Sequence, residues 1–299
     1  MFSPCRLCPR FCQVQRPQEL APPLPGVCAS PRNPVVARAA SHLWEEPVIS
    51  GTQGSGTVFF TGCNLHCVFC QNHNISSAPE GKEISASRLR EIYFELAAQG
   101  AHNINLVTPT HFTESVAASL AEPLPLPVVW NSNGYELPET LRLLKGRVDI
   151  FLPDLKYADN ALAARYSHAP DYFDRAREAI FEMYAQTGPF VMGEDGLLKS
   201  GVVIRHLILP GCVENSKKVI DFVAENFQPG QVLFSLMRQY LPCGEVSAEK
   251  YPELNRRVSD EEYQEVEDYL FSSTIEDGFV QDPESAVQDF IPLFDGTGV

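Results

Sequence analysis

Thr57-Val-Phe-Phe60-Thr-Gly-Cys63-Asn-Leu-His-Cys67-Val-Phe-Cys70 joins a short apolar strand candidate to a loop carrying three cysteines. Thiolates spaced x3 and x2 on one tight loop can each hold one iron of a four-iron cluster, leaving the fourth iron without a protein ligand. A zinc site built from Cys63, Cys67, Cys70 and either His66 or His73 is the plainer alternative. Structural zinc sites, however, draw on paired C-x2-C or H-x3-H knuckles. Here the cysteines are bunched and a series of strands and helices follows, so the cluster reading is preferred.

Downstream of the loop, Ile84 to Gln99 places Leu89, Ile92, Tyr93, Leu96 and Ala97 on one helical face and ends at Gly100. The spacing then predicts strands over 103–107, 127–130, 148–152, 202–209 and 232–236. Helices are expected over 111–121, 138–145, 160–186 (broken near Pro170), 216–226 and 259–274, the last capped by Ser259 with Glu262 three residues on. Strands alternating with helices indicate parallel βαβ units. With 57–60 the strands number six, too few for an eight-stranded barrel. The expected fold is α/β, a partial (β/α)6 TIM-like barrel, with an open doubly wound sheet as the alternative. In either, chemistry gathers at the C-terminal ends of the strands.

Upstream, residues 1–50 carry Cys5, Cys8, Cys12 and Cys28, many prolines and little periodicity. A segment unable to bury much core needs a staple, and four thiolates supply one. Zinc is the simplest occupant; a second iron–sulfur cluster is the alternative and would suit electron delivery. The division is therefore 1–50 as a cysteine-rich metal-binding segment, 51–245 as the core domain, and 246–299 as a C-terminal helical extension packed on the core. Cys212 and Cys243 are expected to be buried single thiols. Gly51-x2-Gly54-Ser55-Gly56 is not a phosphate loop, because it lacks the Gly-Lys-Ser/Thr ending and precedes a strand.

A net charge of −15 argues against a sequence-independent grip on nucleic acid and against anionic lipid. No apolar run approaches the roughly 18 residues of a membrane span, and no apolar signal core opens the chain. The expected location is the cytoplasm, where spaced cysteines point to metal or redox chemistry rather than disulfides.

Cys-x3-Cys-x2-Cys after the first strand resembles the signature of radical S-adenosylmethionine (SAM) enzymes. Wider stretches narrow the likeness: Glu46-Pro-Val-Ile-Ser-Gly51, Gly54-Ser-Gly-Thr-Val-Phe-Phe60, Asn105-Leu-Val-Thr-Pro-Thr-His-Phe112, Leu152-Pro-Asp-Leu-Lys-Tyr157, Arg205-His-Leu-Ile-Leu-Pro-Gly211 and Gln239-Tyr-Leu-Pro242. Together they resemble the pyruvate formate-lyase activating enzyme-like branch. The resemblance implies a [4Fe–4S] cluster whose open iron chelates SAM, and an electron that cleaves the sulfonium to a 5′-deoxyadenosyl radical for hydrogen abstraction. It further implies an electron donor such as flavodoxin or ferredoxin, and a glycyl residue of a partner protein as substrate. A small-molecule substrate stays open, and so does the non-enzymatic alternative of an iron–sulfur electron carrier or redox sensor.

Carried over residue by residue, Phe69 matches the aromatic position that contacts the SAM adenine. Thr108 stands where a Gly-Gly-Glu-Pro-like segment is expected to meet the amino group, so a carboxylate is missing there. Asn131 and Asn133 offer the mixed donors and acceptors that a ribose or the methionine moiety requires. Asp154 and Lys156 share one strand face, and Arg205 could meet the SAM carboxylate; a structural ion-pair role is the alternative for all three. His206 is expected to be a packed core histidine. His111, at a strand end, is expected to be exposed and is left unassigned, while Gln239 and Tyr240 either line the substrate opening or pack. No catalytic side chain is assigned.

Overall fold

The structure is a computed structural model and describes residues 4–77, 80–281 and 292–299. The chain enters the sheet through β1 (Val35–His42), turns through α1 (Pro47–Ser50), and returns antiparallel as β2 (Ser55–Phe60). After α2 (His73–Ser76), the short β3 (Lys82–Glu83) pairs with the other edge of β1. A βα series follows: α3 (Ala86–Ala98), β4 (Ile104–Val107), α4 (Thr113–Ser119), β5 (Val128–Ser132), α5 (Pro138–Leu141), β6 (Ile150–Pro153), α6 (Asn160–Ser167) and α7 (Tyr172–Thr187). It continues through β7 (Val191–Met192), β8 (Leu198–Leu207), α8 (Val213–Asn226), β9 (Leu233–Met237), α9 (Asp260–Phe271) and β10 (Gly278–Val280).

The sheet order is β10-β9-β8-β6-β5-β4-β2-β1-β3, with β7 antiparallel on β8. From β2 to β10 every neighbouring pair is parallel. All six predicted strands are present, and β10 adds a seventh parallel one. The end strands β3 and β10 do not pair, so the sheet is a partial TIM-like barrel open at one side.

Strand alternation divides the core. Val58, Phe60, Leu106, Trp130, Phe151, Ile204 and Phe234 pack with the helices in the main apolar cluster. On the opposite, concave face Val129, Ile150, Leu152, Val203 and Leu233 close around Val48 and Ile49 of α1, which plugs the barrel from below. Fully buried Ile49 contributes about 1.5–3 kcal/mol by its transfer from water. The long predicted helix over 160–186 is two helices, because His168 at φ 52° caps α6 in the left-handed region ahead of Ala169-Pro170. The capping box at Ser259 and Glu262 is present.

Two features differ from expectation. β1 lies within the segment read as aperiodic: Val35, Val36, Ala37 and Ala39 are all buried, so no alternation marks the strand. The C-terminal extension is not wholly helical either. Beyond α9 and β10 the chain ends against β1, where Ala39 N donates to Thr297 O at 2.9 Å and Gly296 N to Ala37 O at 3.0 Å. Residues 282–291 of the 246–299 extension, and 1–3 of the N-terminal segment, lie outside the described residues. Among the described residues no helix is long and apolar enough to cross a membrane.

Candidate active site

The cysteine loop leaves β2 through Gly62, whose φ of +76° and close surroundings admit no side chain: a Cβ there would sit 2.5 Å from Ser30 Oγ and 2.6 Å from Cys28 O. Backbone bonds from Val68 N to Tyr166 O (2.9 Å) and from Glu245 N to Val68 O (2.7 Å) hold the loop from two sides. Each sulfur meets a donor. Leu65 N (3.3 Å) and Asn133 Nδ2 (3.4 Å) reach Cys63 Sγ, Ser167 Oγ reaches Cys67 Sγ (3.0 Å), and Ser76 Oγ reaches Cys70 Sγ (3.5 Å). Burial pushes the Cys67 thiol up to about 12 against the opposing pull of Lys156, and burial also raises Cys70. A bound metal replaces the thiol proton, and donors aimed at sulfur favour the resulting thiolate. The donor set thus fits a three-thiolate cluster site. Among the described residues no three His, Cys, Asp or Glu side chains stand in a ready single-ion arrangement; a four-iron cluster asks instead for each thiolate on its own iron.

The three cysteines open into a cavity of about 810 Å³ at the C-terminal ends of the strands. Phe69, Thr108, Asn131, Asn133, Asp154, Lys156 and Arg205 line this same cavity, so every residue picked out around the cluster faces one space. Gln239 and Tyr240 line it too. Thr108 is held at φ +57°, an unusual conformation for a β-branched residue, with its N–H on Asn131 O at 2.8 Å.

The charged groups form one network. Lys156 Nζ donates to Asp154 Oδ2 at 2.6 Å, and Arg205 Nε to Asp154 Oδ1 at 2.9 Å. Arg205 Nη2 reaches Asn131 Oδ1 at 2.6 Å and Nη1 reaches Glu45 Oε2 at 3.1 Å, while Asn131 Nδ2 returns to Glu45 Oε1 at 3.1 Å. Burial alone would raise the Asp154 carboxyl, but Arg205 and Lys156 outweigh it and hold it below the usual carboxylate range. Glu46 is raised by burial, against the opposing pull of Arg205 and the Ser235 hydroxyl, which donates at 2.9 Å.

Glu45 and Glu46 escaped the sequence reading as site residues. They stand just before α1, and the plug carries them up from the barrel floor to strands far away in sequence. An acidic pair directly before an apolar Pro-Val-Ile run was the one local signal. His111 differs from expectation: it is 1% exposed, bonded to Thr61 O at 2.8 Å, and driven down to about 3 by burial and by Arg16. The turn after β4 folds it inward instead of presenting it at the strand end. His206 is the packed histidine expected, between Leu155 O (2.7 Å) and Ser216 Oγ (2.9 Å). Cys212 is buried, but Cys243 is only partly so and lines the cavity, its thiol on Phe69 O at 3.1 Å. The Pro242-Cys243-Gly244 turn packs on the cysteine loop and carries it there.

Cys5, Cys8, Cys12 and Cys28 surround a separate pocket of about 10 Å³ with Arg10 and Arg16. Burial raises the Cys8 thiol to about 12, and the other three cysteines add to the shift. The fold thus brings the four cysteines to one pocket, although their side chains do not stand in a ready single-ion arrangement.

Residues 57–215 match the family described as the Radical SAM superfamily, and the chain belongs to it. An uncharacterized protein of Methanocaldococcus jannaschii is 33% identical over 280 residues, covering 90% of this chain and 74% of that protein. Streptococcus suis SuiB bound to its precursor peptide SuiA, and SuiB bound to S-adenosylmethionine, share the fold at a TM-score of 0.50 with 15% and 14% identity. Both superpositions cover 74% of this chain, which spans 47% and 48% of the SuiB chains.

Proposed function

We propose that this protein is a radical SAM enzyme that generates a 5′-deoxyadenosyl radical in the 810 Å³ cavity and abstracts hydrogen from a substrate there. One observation carries the reading: the three-cysteine loop opens into a large cavity lined by convergent polar and charged side chains. An electron carrier or redox sensor has no use for such a space.

When bound on Cys63, Cys67 and Cys70, a [4Fe–4S] cluster supplies the electron that splits the sulfonium C–S bond of SAM into methionine and the radical. That electron comes from a low-potential donor such as flavodoxin or ferredoxin. The chain's own residues bind and orient. Asn131 and Asn133 offer amide donors and acceptors to a ribose or the methionine moiety, and Phe69 offers an aromatic surface to the adenine. Arg205 and Lys156, charged and buried, fit the carboxylate. Glu45, not the residue at Thr108, is a carboxylate suited to an ammonium group: it lines the cavity and its oxygens, one bond each to Asn131 and Arg205, keep further acceptor sites. Phe59, Phe60, Leu65 and Met237 keep the lining apolar between these groups, which strengthens the electrostatic contacts.

A glycyl residue of a partner polypeptide is the substrate we favour. Leu43 and Trp44, exposed by 53% and 56%, line the cavity and give it an apolar surface open to solvent, which suits contact with a polypeptide.

The test is anaerobic reconstitution with iron and sulfide, reduction with dithionite, and chromatography for 5′-deoxyadenosine. Product from the wild type and none from Cys67→Ala supports the reading. Zinc uptake without iron, and no nucleoside product, overturns it.

A further inference from the structure

Arg10 lies between Cys8 and Cys12, yet its guanidinium serves the other cysteine loop. Nε donates to Asn64 O at 2.7 Å, Nη2 to Leu65 O at 2.9 Å and to Ser167 O at 3.0 Å, and Nη1 to His168 O. Its carbon stands 5.2 Å from the ring centroid of Tyr135.

These acceptors are the groups that support the cluster cysteines. Asn64 and Leu65 are the two residues after Cys63, and Leu65 N donates to Cys63 Sγ. Asn64 Oδ1 receives Asn133 Nδ2 at 2.8 Å, the same amide nitrogen that reaches Cys63 Sγ. Asn64 Nδ2 in turn donates to Tyr135 O at 2.7 Å. Ser167 is the hydroxyl donor to Cys67 Sγ. One planar cation therefore gathers the supports of two of the three thiolates.

The aim of Arg10 depends on the turn of the N-terminal cysteines. Phe11 and Gln13 take φ of 43° and 52°, and the turn closes through Phe11 N on Cys8 O (3.1 Å), Gln13 N on Cys5 O (3.1 Å) and Cys5 N on Val14 O (2.9 Å). A metal held by these cysteines would fix the sulfurs that the turn carries, and with them the direction of Arg10. The same segment also touches the loop through Val27 O, which meets His66 Nε2 at 2.8 Å, and through Cys28 O beside Gly62.

We propose that the four-cysteine segment is a clamp on the cluster loop and that Arg10 is its positioning residue. The inference rests on the reading that Cys63, Cys67 and Cys70 hold an iron–sulfur cluster. Lysine cannot replace the arginine, because a point charge with three donors does not span four carbonyls set around a flat fork.

The experiment uses the full chain, reconstituted anaerobically, as wild type, Arg10→Lys, Ser167→Ala and Cys8→Ser. Three quantities are read: the chelator concentration that strips iron from the central site, the electron paramagnetic resonance spectrum of the reduced protein with and without SAM, and the melting temperature. Arg10→Lys is expected to fold, with a modest drop in melting temperature from the lost carbonyl contacts, and to lose its iron at a roughly tenfold lower chelator concentration, the usual effect of removing a partner that orients a ligand. Its spectrum should change, most of all in the presence of SAM. Cys8→Ser should reproduce the Arg10→Lys spectrum, and Ser167→Ala should shift it less in the same direction. A folded Arg10→Lys protein with wild-type iron retention and spectrum overturns the clamp. Should Arg10→Lys not fold, unchanged spectra in both other variants overturn it equally. A wild type that takes up no iron refutes the cluster reading itself, a separate result from either.

Discussion

The two cysteine sets of this chain sit side by side and face opposite demands. Cys63, Cys67 and Cys70 border about 810 Å³ of space with Asn131, Asp154, Lys156 and Arg205 around it, whereas Cys5, Cys8, Cys12 and Cys28 border about 10 Å³. Room for a substrate beside an incomplete ligand set marks a place of reaction. Four cysteines around so little space leave no room for a substrate, and a staple is the role we propose for them. The cysteine count, three against four, already points the same way, and the surroundings give it physical meaning.

The largest expected contrast comes from removing one ligand from each set. Cys67→Ala should reduce 5′-deoxyadenosine to background while the melting temperature stays near that of the wild type. Cys8→Ser should lower product formation roughly tenfold, in line with a supporting role, and should open the first 34 residues to limited proteolysis. Equal and complete loss in both variants, with intact N-terminal segments, would erase the distinction.

A second test asks whether the charged network serves the fold or the ligand. Arg205→Leu leaves Asp154 and Glu45 short of a buried partner and should cost about 3–5 kcal/mol in chemical denaturation. Combining it with Asp154→Asn should restore part of that stability, because the two sites share one network. SAM binding by equilibrium dialysis should remain lost in the double variant. Recovery of binding along with stability would make the network structural.

The smallest effect concerns pH. His206 is driven down to about 4 by burial, so the folded protein keeps it neutral at pH 5 while the unfolded chain, near 6.5, takes up a proton. Stability from this group is present above about pH 6.5 and is lost as pH falls from there toward 4. Between pH 7 and pH 5 the unfolding free energy should drop by about 2 kcal/mol from this residue, and a His206→Gln variant should lack that component.

The sequence made legible what is local. The cysteine loop, the strand before it, the Ser259 capping box and the polar residues at strand ends all announce themselves within a few neighbours. The i, i+2 spacing put Asp154 and Lys156 on one face and the family likeness added Arg205; all three line one cavity, although β6 itself ends at Pro153. What stayed hidden depends on long-range packing. Glu45 meets Arg205 across 160 residues, placed by a plug helix of four residues whose only local mark is the apolar run Pro47-Val48-Ile49. β1 was invisible because both of its faces are covered, and β10 is three residues long. His111 turned inward through a bend that polar sequence cannot specify. Arg10 drew no attention in the sequence, since its acceptors are backbone carbonyls, which carry no side-chain signature at all.

The most direct test of the three-cysteine centre is Mössbauer spectroscopy of the iron-57 reconstituted protein, with and without SAM. A four-iron cluster on Cys63, Cys67 and Cys70 predicts that one iron in four becomes distinct when SAM is added, and that this change vanishes in Arg205→Leu. A spectrum that SAM leaves unchanged, or a centre that binds zinc in place of iron, would contradict the account.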